Sequence, residues 1–125
     1  MAAPNIVNVT SILGKTVYDT DVATSESATL TNAFGSNKVL KINTIIAANI
    51  DGTNAADITV YVSIASLSTP LYHLAKTISV PADSSLVIIS KDTSFYLEEN
   101  LAIRALASAA GDISLMISYE ELDDA

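Results

Sequence analysis

The chain has no cysteine, no tryptophan and a single histidine among its 125 residues. Without cysteine it can form no disulfide, no zinc–thiolate site and no thiol nucleophile. One imidazole, His73, is too few for an ordinary transition-metal site, and no nucleophile-elbow pattern accompanies it, so a structural or interface histidine is expected. The four glycines, at positions 14, 35, 52 and 111, are scattered and build no phosphate-cradling loop. Cations are also scarce. Six Lys and Arg face 14 Asp and Glu, and the resulting net charge of -8 repels nucleic-acid backbones. Apolar residues make up 50% of the chain but are interleaved with Thr, Ser, Asn and Asp, never reaching the run of about 18 that a membrane-crossing helix needs. Met1-Ala2-Ala3-Pro4 has no basic start and no apolar stretch behind it, so no secretory leader is expected and cytoplasmic synthesis is the default. These absences leave no evident catalytic apparatus: the sequence predicts a protein that is not an enzyme and uses no cofactor or metal.

What is present is alternation. Ile58, Val60, Val62 and Ile64 share one side of an extended segment and Thr59, Tyr61 and Ser63 the other, the period-two signature of a half-buried strand. Residues 39–50 repeat the pattern over a longer span, with Leu40, Ile42, Thr44, Ile46, Ala48 and Ile50 on one face. Asp51-Gly52-Thr53-Asn54 supplies a reversal after it, predicting that 39–50 and 58–65 pair as antiparallel neighbours. Further strands are expected at 28–31, 71–80, 85–90, 95–97 and 113–121. The 85–90 segment is apolar on both faces, as an interior strand would be. Residues 101–110 are rich in alanine and could form a helix stopped by Gly111, but the alternation of Leu101, Ile103 and Ala105 between strand-like neighbours favours a strand. Polar residues across 15–27 favour turns, so any strand there is expected to be short.

Seven to nine strands with turns every 8 to 12 residues predict an all-β fold, an antiparallel two-sheet β-sandwich of jelly-roll or immunoglobulin-like type, with a small β-barrel as the alternative. A chain of this length makes one core and buries roughly two-thirds of its unfolded surface. The expected organisation is an N-terminal arm or first strand over 1–14, a sandwich over 15–121 and an acidic tail over 122–125.

Candidate chemistry is sparse. The segment Asp51 to Asp57 offers oxygen-bearing side chains around a glycine, but its spacing is not that of an EF-hand and a turn accounts for it. Tyr61, Tyr72 and Tyr96 could be exposed and serve a lectin-like surface. The tail beginning Glu120-Glu121-Leu122-Asp123 is either a solvated acidic end or a segment that docks on a neighbour through Leu122. Few charges for so apolar a chain suggest surface that partners cover. The expected contact residues are Ile6, Val7 and Val9 in the arm, with Leu122 and Asp123 in the tail.

The stretch from Lys41-Ile42-Asn43-Thr44-Ile45-Ile46 to Asp51-Gly52-Thr53, followed by Asp57-Ile58-Thr59-Val60, Tyr72-His73-Leu74-Ala75, Ile78-Ser79-Val80-Pro81-Ala82 and Tyr96-Leu97-Glu98-Glu99, resembles small virion structural proteins of tailed bacteriophages, those of marine phages above all. The resemblance spans about 39–122 and brings no catalytic positions with it. It implies a β-sandwich displayed in many copies on a virion, as a capsid decoration protein cementing the head or as a neck or tail component. It also implies contact with the major capsid protein or another virion protein, and a homo-oligomer for which a trimer is one arrangement. A glycan- or receptor-binding module is the competing expectation.

Overall fold

In the computed structural model of the protein, which describes residues 9–123, the alternating segments form nine strands. They are β1 (Ser11–Asp19), β2 (Ser27–Asn32), β3 (Lys38–Asn49), β4 (Ala56–Ile64), β5 (Pro70–Val80), β6 (Ser85–Ile89), β7 (Phe95–Leu97), β8 (Leu101–Ala107) and β9 (Ile113–Asp123), with a 3-10 turn at Lys91–Thr93. All pairings are antiparallel. One sheet, here sheet A, has the order β1-β9-β3-β6, with β7 continuing β6 along the same side of β3; sheet B has the order β2-β8-β4-β5. The two sheets pack face to face as a β-sandwich, and no strand joins them into a barrel.

The core follows the period-two pattern except in β3, where a register shift between Ile42 and Thr44 reverses the predicted face: Leu40 and Ile42 are buried as expected, but beyond the shift Ile45 and Ala47 are buried in place of Ile46 and Ala48. Ile42, Ile45 and Ala47 of β3 and Ile113, Leu115 and Ile117 of β9 meet Ile58 and Val60 of β4 and Ile103 and Ala105 of β8, all buried in one cluster. Each buried Ile or Leu contributes about 1.5–3 kcal/mol, so this interleaving dominates stability. The alanine-rich 101–110 segment is a strand after all. As β8 it is flanked on both sides by β2 and β4, and its amides and carbonyls are committed to those ladders, overriding helix propensity.

Three further expectations change. β3 and β4 are not neighbours: the connection between them crosses from sheet A to sheet B, so β3 pairs with β9, β6 and β7 instead. The crossing is fixed by Asn49, buried at the end of β3, whose Nδ2 donates to Asn54 O and Val80 O at 2.9 Å each and whose Oδ1 accepts the Asp51 amide. β6 lies at a sheet edge and not in the interior; Val87 is exposed and only Ile89 is buried. The region expected to be turn-rich carries the C-terminal half of the nine-residue β1, and β9 runs on through Asp123, so the arm and tail are partly strand.

The edges differ in regularity. β2 and β6 each contain a register shift, and β5 contains three, around which Thr77 takes a φ of 52°. Such bulges twist an edge away from further pairing. β1 pairs with β9 without interruption from Ser11↔Asp123 to Asp19↔Leu115.

Candidate interaction surface

Of the expected contact residues, Ile6 and Val7 lie outside the described residues. Val9 precedes β1 and is half-buried. Leu122 is 6% exposed, paired across strands with Ile12 on one side and Val39 on the other, so its side chain is packed within this chain and does not project as a docking residue. Asp123 sits beside it in β9, opposite Ser11 and Lys38, and its carbonyl accepts the Thr10 amide at 2.8 Å. The arm and tail are thereby brought side by side at one corner of sheet A.

That corner holds the main charge cluster. Glu121 pairs with Lys15 of β1 and Lys38 of β3, both at 3.1 Å. Burial raises the Glu121 carboxyl, but hydrogen bonds from Lys38 and Lys15 outweigh it and hold the group below the usual carboxylate range. The Glu121 hydrogen bond and charge raise Lys38 in turn.

Sequence reasoning missed the apolar surface of sheet A. On β1, Tyr18 is 68% exposed, Ile12 57% and Leu13 49%. Tyr18 lies opposite Met116, Met116 opposite Ile46, and Ile46 opposite Val87, making one apolar row across four strands on the outward face. A depression of about 360 Å³ lies along it, lined by Tyr18, Ile46, Ala48 and Met116 among others. The signal was present in the sequence as apolar residues at outward positions, but only the strand order places them in a row.

A second concavity, of about 490 Å³, opens between the edges of the two sheets, where Val62, Leu71, Tyr72, His73 and Leu74 face Ile88, Phe95 and Tyr96. Tyr72 and Tyr96 are exposed there as expected, whereas Tyr61 is 4% exposed, with its hydroxyl donating to Ser68 O at 2.9 Å. Burial pushes the Tyr61 phenol upward. His73 rests against the Tyr61 ring with centroids 5.5 Å apart, a packing role.

The Asp51 loop behaves as a turn. Asp51 Oδ1 accepts the Thr53 amide at 2.8 Å, and that bond, with further ones from Asn54, holds its carboxyl low. Burial and the nearby Asp51 and Asp21 raise Asp112 beside it. Among the described residues no group of three or more His, Cys, Asp or Glu is arranged to hold a metal ion.

No protein-family model matches the sequence, and no curated protein matches it. Among solved structures it is similar to a protein of Bacillus endospore appendages, a family of disulfide-linked pili, at 17% identity and a TM-score of 0.49, over 92% of this chain and 90% of the other. It is also similar to a pentameric capsid protein from metagenomic phage sequences, in two structures, at 14% identity and a TM-score of 0.34, over 97% of this chain but only 65% and 64% of the other. With TM-scores below 0.5, none of these likenesses bears on what this chain does.

Proposed function

We propose that the protein is a non-enzymatic structural component of a tailed-phage particle, present in many copies, and within that class a capsid decoration protein binding the head lattice. The observation that carries this reading is the apolar surface of sheet A, with Ile12, Leu13 and Tyr18 on an open edge and the Met116, Ile46 and Val87 row continuing across the face. Contiguous exposed apolar surface is a liability for a solitary domain and marks surface that an assembly covers. The order β1-β9-β3-β6 against β2-β8-β4-β5 supports the reading too, because a two-sheet sandwich so ordered fits a jelly roll, the architecture we propose and one used by viral capsid and lectin domains. That support is fold analogy alone. The third support is the sequence resemblance over 39–122. The partner in this reading is the major capsid protein or another virion protein.

Immunogold electron microscopy of the phage, with an antibody against this chain, tests it. Dense labelling of heads is the expected result. Labelling confined to necks or tails replaces the decoration role with a neck or tail role, and unlabelled particles overturn the reading.

The cleft between the sheet edges favours a second reading, a glycan- or receptor-binding module, because Tyr72 and Tyr96 present exposed rings at its mouth. A glycan array gives binding lost in Tyr72→Ala and Tyr96→Ala if this reading holds. An array without hits removes it.

A further inference from the structure

We infer that two copies of this chain pair edge to edge through β1, antiparallel about a two-fold axis at Lys15, merging their A sheets into one continuous sheet. The pairing takes up the β1 part of the apolar surface on which the proposed function rests and leaves the Met116, Ile46 and Val87 row for the particle, so a failed dimer and an unlabelled particle are separate outcomes.

The first observation is the edge. Among the described residues β1 is paired on one side only, to β9, and of the described edge strands it alone keeps its register unbroken over more than three residues. Nine residues of uninterrupted edge present a straight row of backbone donors and acceptors, the template on which another strand adds.

The second observation identifies the occupant. The strand reads Ser11-Ile12-Leu13-Gly14-Lys15-Thr16-Val17-Tyr18-Asp19, which is symmetric in character about its centre. Reversing one copy against another at Lys15 sets Ser11 opposite Asp19, Ile12 opposite Tyr18, Leu13 opposite Val17 and Gly14 opposite Thr16. Every large apolar residue then meets an apolar residue and every polar end meets a polar end. An isologous contact requires such self-complementarity, and an unrelated partner does not. The axis stands perpendicular to the sheet, so both outward faces stay on the same side and the exposed Ile12 and Tyr18 cover each other.

The central Lys15 pair would ordinarily repel. Here each Lys15 is bound at 3.1 Å to its own Glu121, a carboxylate it shares with Lys38, which offsets part of that repulsion. The dyad gives an even-numbered assembly, in contrast to the trimer that the sequence resemblance allows.

Because the chain has no cysteine, single-cysteine variants of the full chain read the register directly. Directly opposite residues in an antiparallel pair alternate between wide and narrow spacing. One of two experiments therefore samples the narrow pair: Lys15→Cys alone, or Gly14→Cys mixed with Thr16→Cys. A side chain at position 14 meets nothing within 4 Å, so that substitution leaves the monomer undisturbed. The expected result is a dimer by sedimentation velocity, oxidative cross-linking in one of the two experiments, and no cross-link for Ile12→Cys alone. Leu13→Lys removes two apolar pairs per dyad and weakens dimerisation by about tenfold while the monomer stays folded. A monomer at every concentration, or a dimer that cross-links in neither experiment, overturns the inference.

Discussion

Arg104 donates through Nε to the hydroxyl of Ser63 at 2.9 Å, tying the two central strands of sheet B, β8 and β4, on the side away from the core. The same guanidinium reaches Ala65 O at 3.0 Å and Glu26 at 2.9 Å, with only 14% of its side chain exposed. These three charge-assisted bonds hold the guanidinium in a fixed fork. Arg104→Ala leaves the fully buried Ser63 without its donor and is expected to cost about 2–3 kcal/mol in chemical denaturation. Arg104→Lys recovers only part of that loss, because an ammonium cannot reproduce the fork.

Asn49 closes the end of β3 by satisfying two carbonyls from different strands and loops. Asn49→Leu keeps the branched shape at a somewhat larger volume but takes away the partner of Asn54 O, Val80 O and the Asp51 amide. A loss of about 2–4 kcal/mol is expected from equilibrium unfolding, with an unchanged denaturant slope.

The two ion pairs of Glu121 make stability depend on acidity. Its folded pKa lies below the ordinary value of 4.5, so the stabilisation is complete above that value and is lost as pH falls through the folded pKa. The stability gap between the native chain and Glu121→Gln is therefore constant near neutral pH and closes in acid. For Lys38, raised above 10.5, the contribution is present at neutral pH and disappears only as strong alkali titrates the amine. Thermal melts of both proteins across pH 2 to 8, an interval of about six pH units spanning the carboxylate range, check the acid limb.

Two glycines respond oppositely to alanine. Gly111 sits at φ +81°, where a Cβ is strained, and Gly111→Ala is expected to cost about 1–2 kcal/mol. Gly14 has no such conformation and open space around it, so Gly14→Ala is neutral or stabilising by about 0.5 kcal/mol through a less flexible unfolded chain. Thr77 reverses the logic: a β-branched residue at φ 52° is strained, and Thr77→Gly gains about 0.5–1 kcal/mol by the same assay.

How much of this was legible depended on whether a property belongs to a strand alone or to its neighbours. Facing belongs largely to the strand: Ile113, Leu115 and Ile117 alternate in the sequence with Ser114, Met116 and Ser118, and all three are buried. Pairing belongs to the sheet, so the turn at Asp51 looked like a hairpin although it is a crossing. β4 shows the limit within one strand. Ile58 and Val60 follow the predicted face, but Tyr61 and Ser63 on the opposite face are buried as well, beneath the 65–68 connection and Arg104. The expected contact residues fared similarly: Leu122 was read as a projecting end, and the extension of β9 beside β3 packs it away. The apolar row from Tyr18 to Val87 draws its members from four strands, so the sequence shows each residue but not their alignment.

The position of β9 between β1 and β3 also orders events in time. During synthesis β1 and β3 emerge early but have no direct contact through which to pair, and their shared partner is the last strand to appear. Until then β1 has no neighbour in its sheet, and β3 is paired on one side only, by β6 and β7. The pairings of sheet B and of β3 with β6 and β7 need shorter closures, whereas the β1–β9 ladder waits for a closure across most of the chain, so β1 is the strand with the longest wait for a partner.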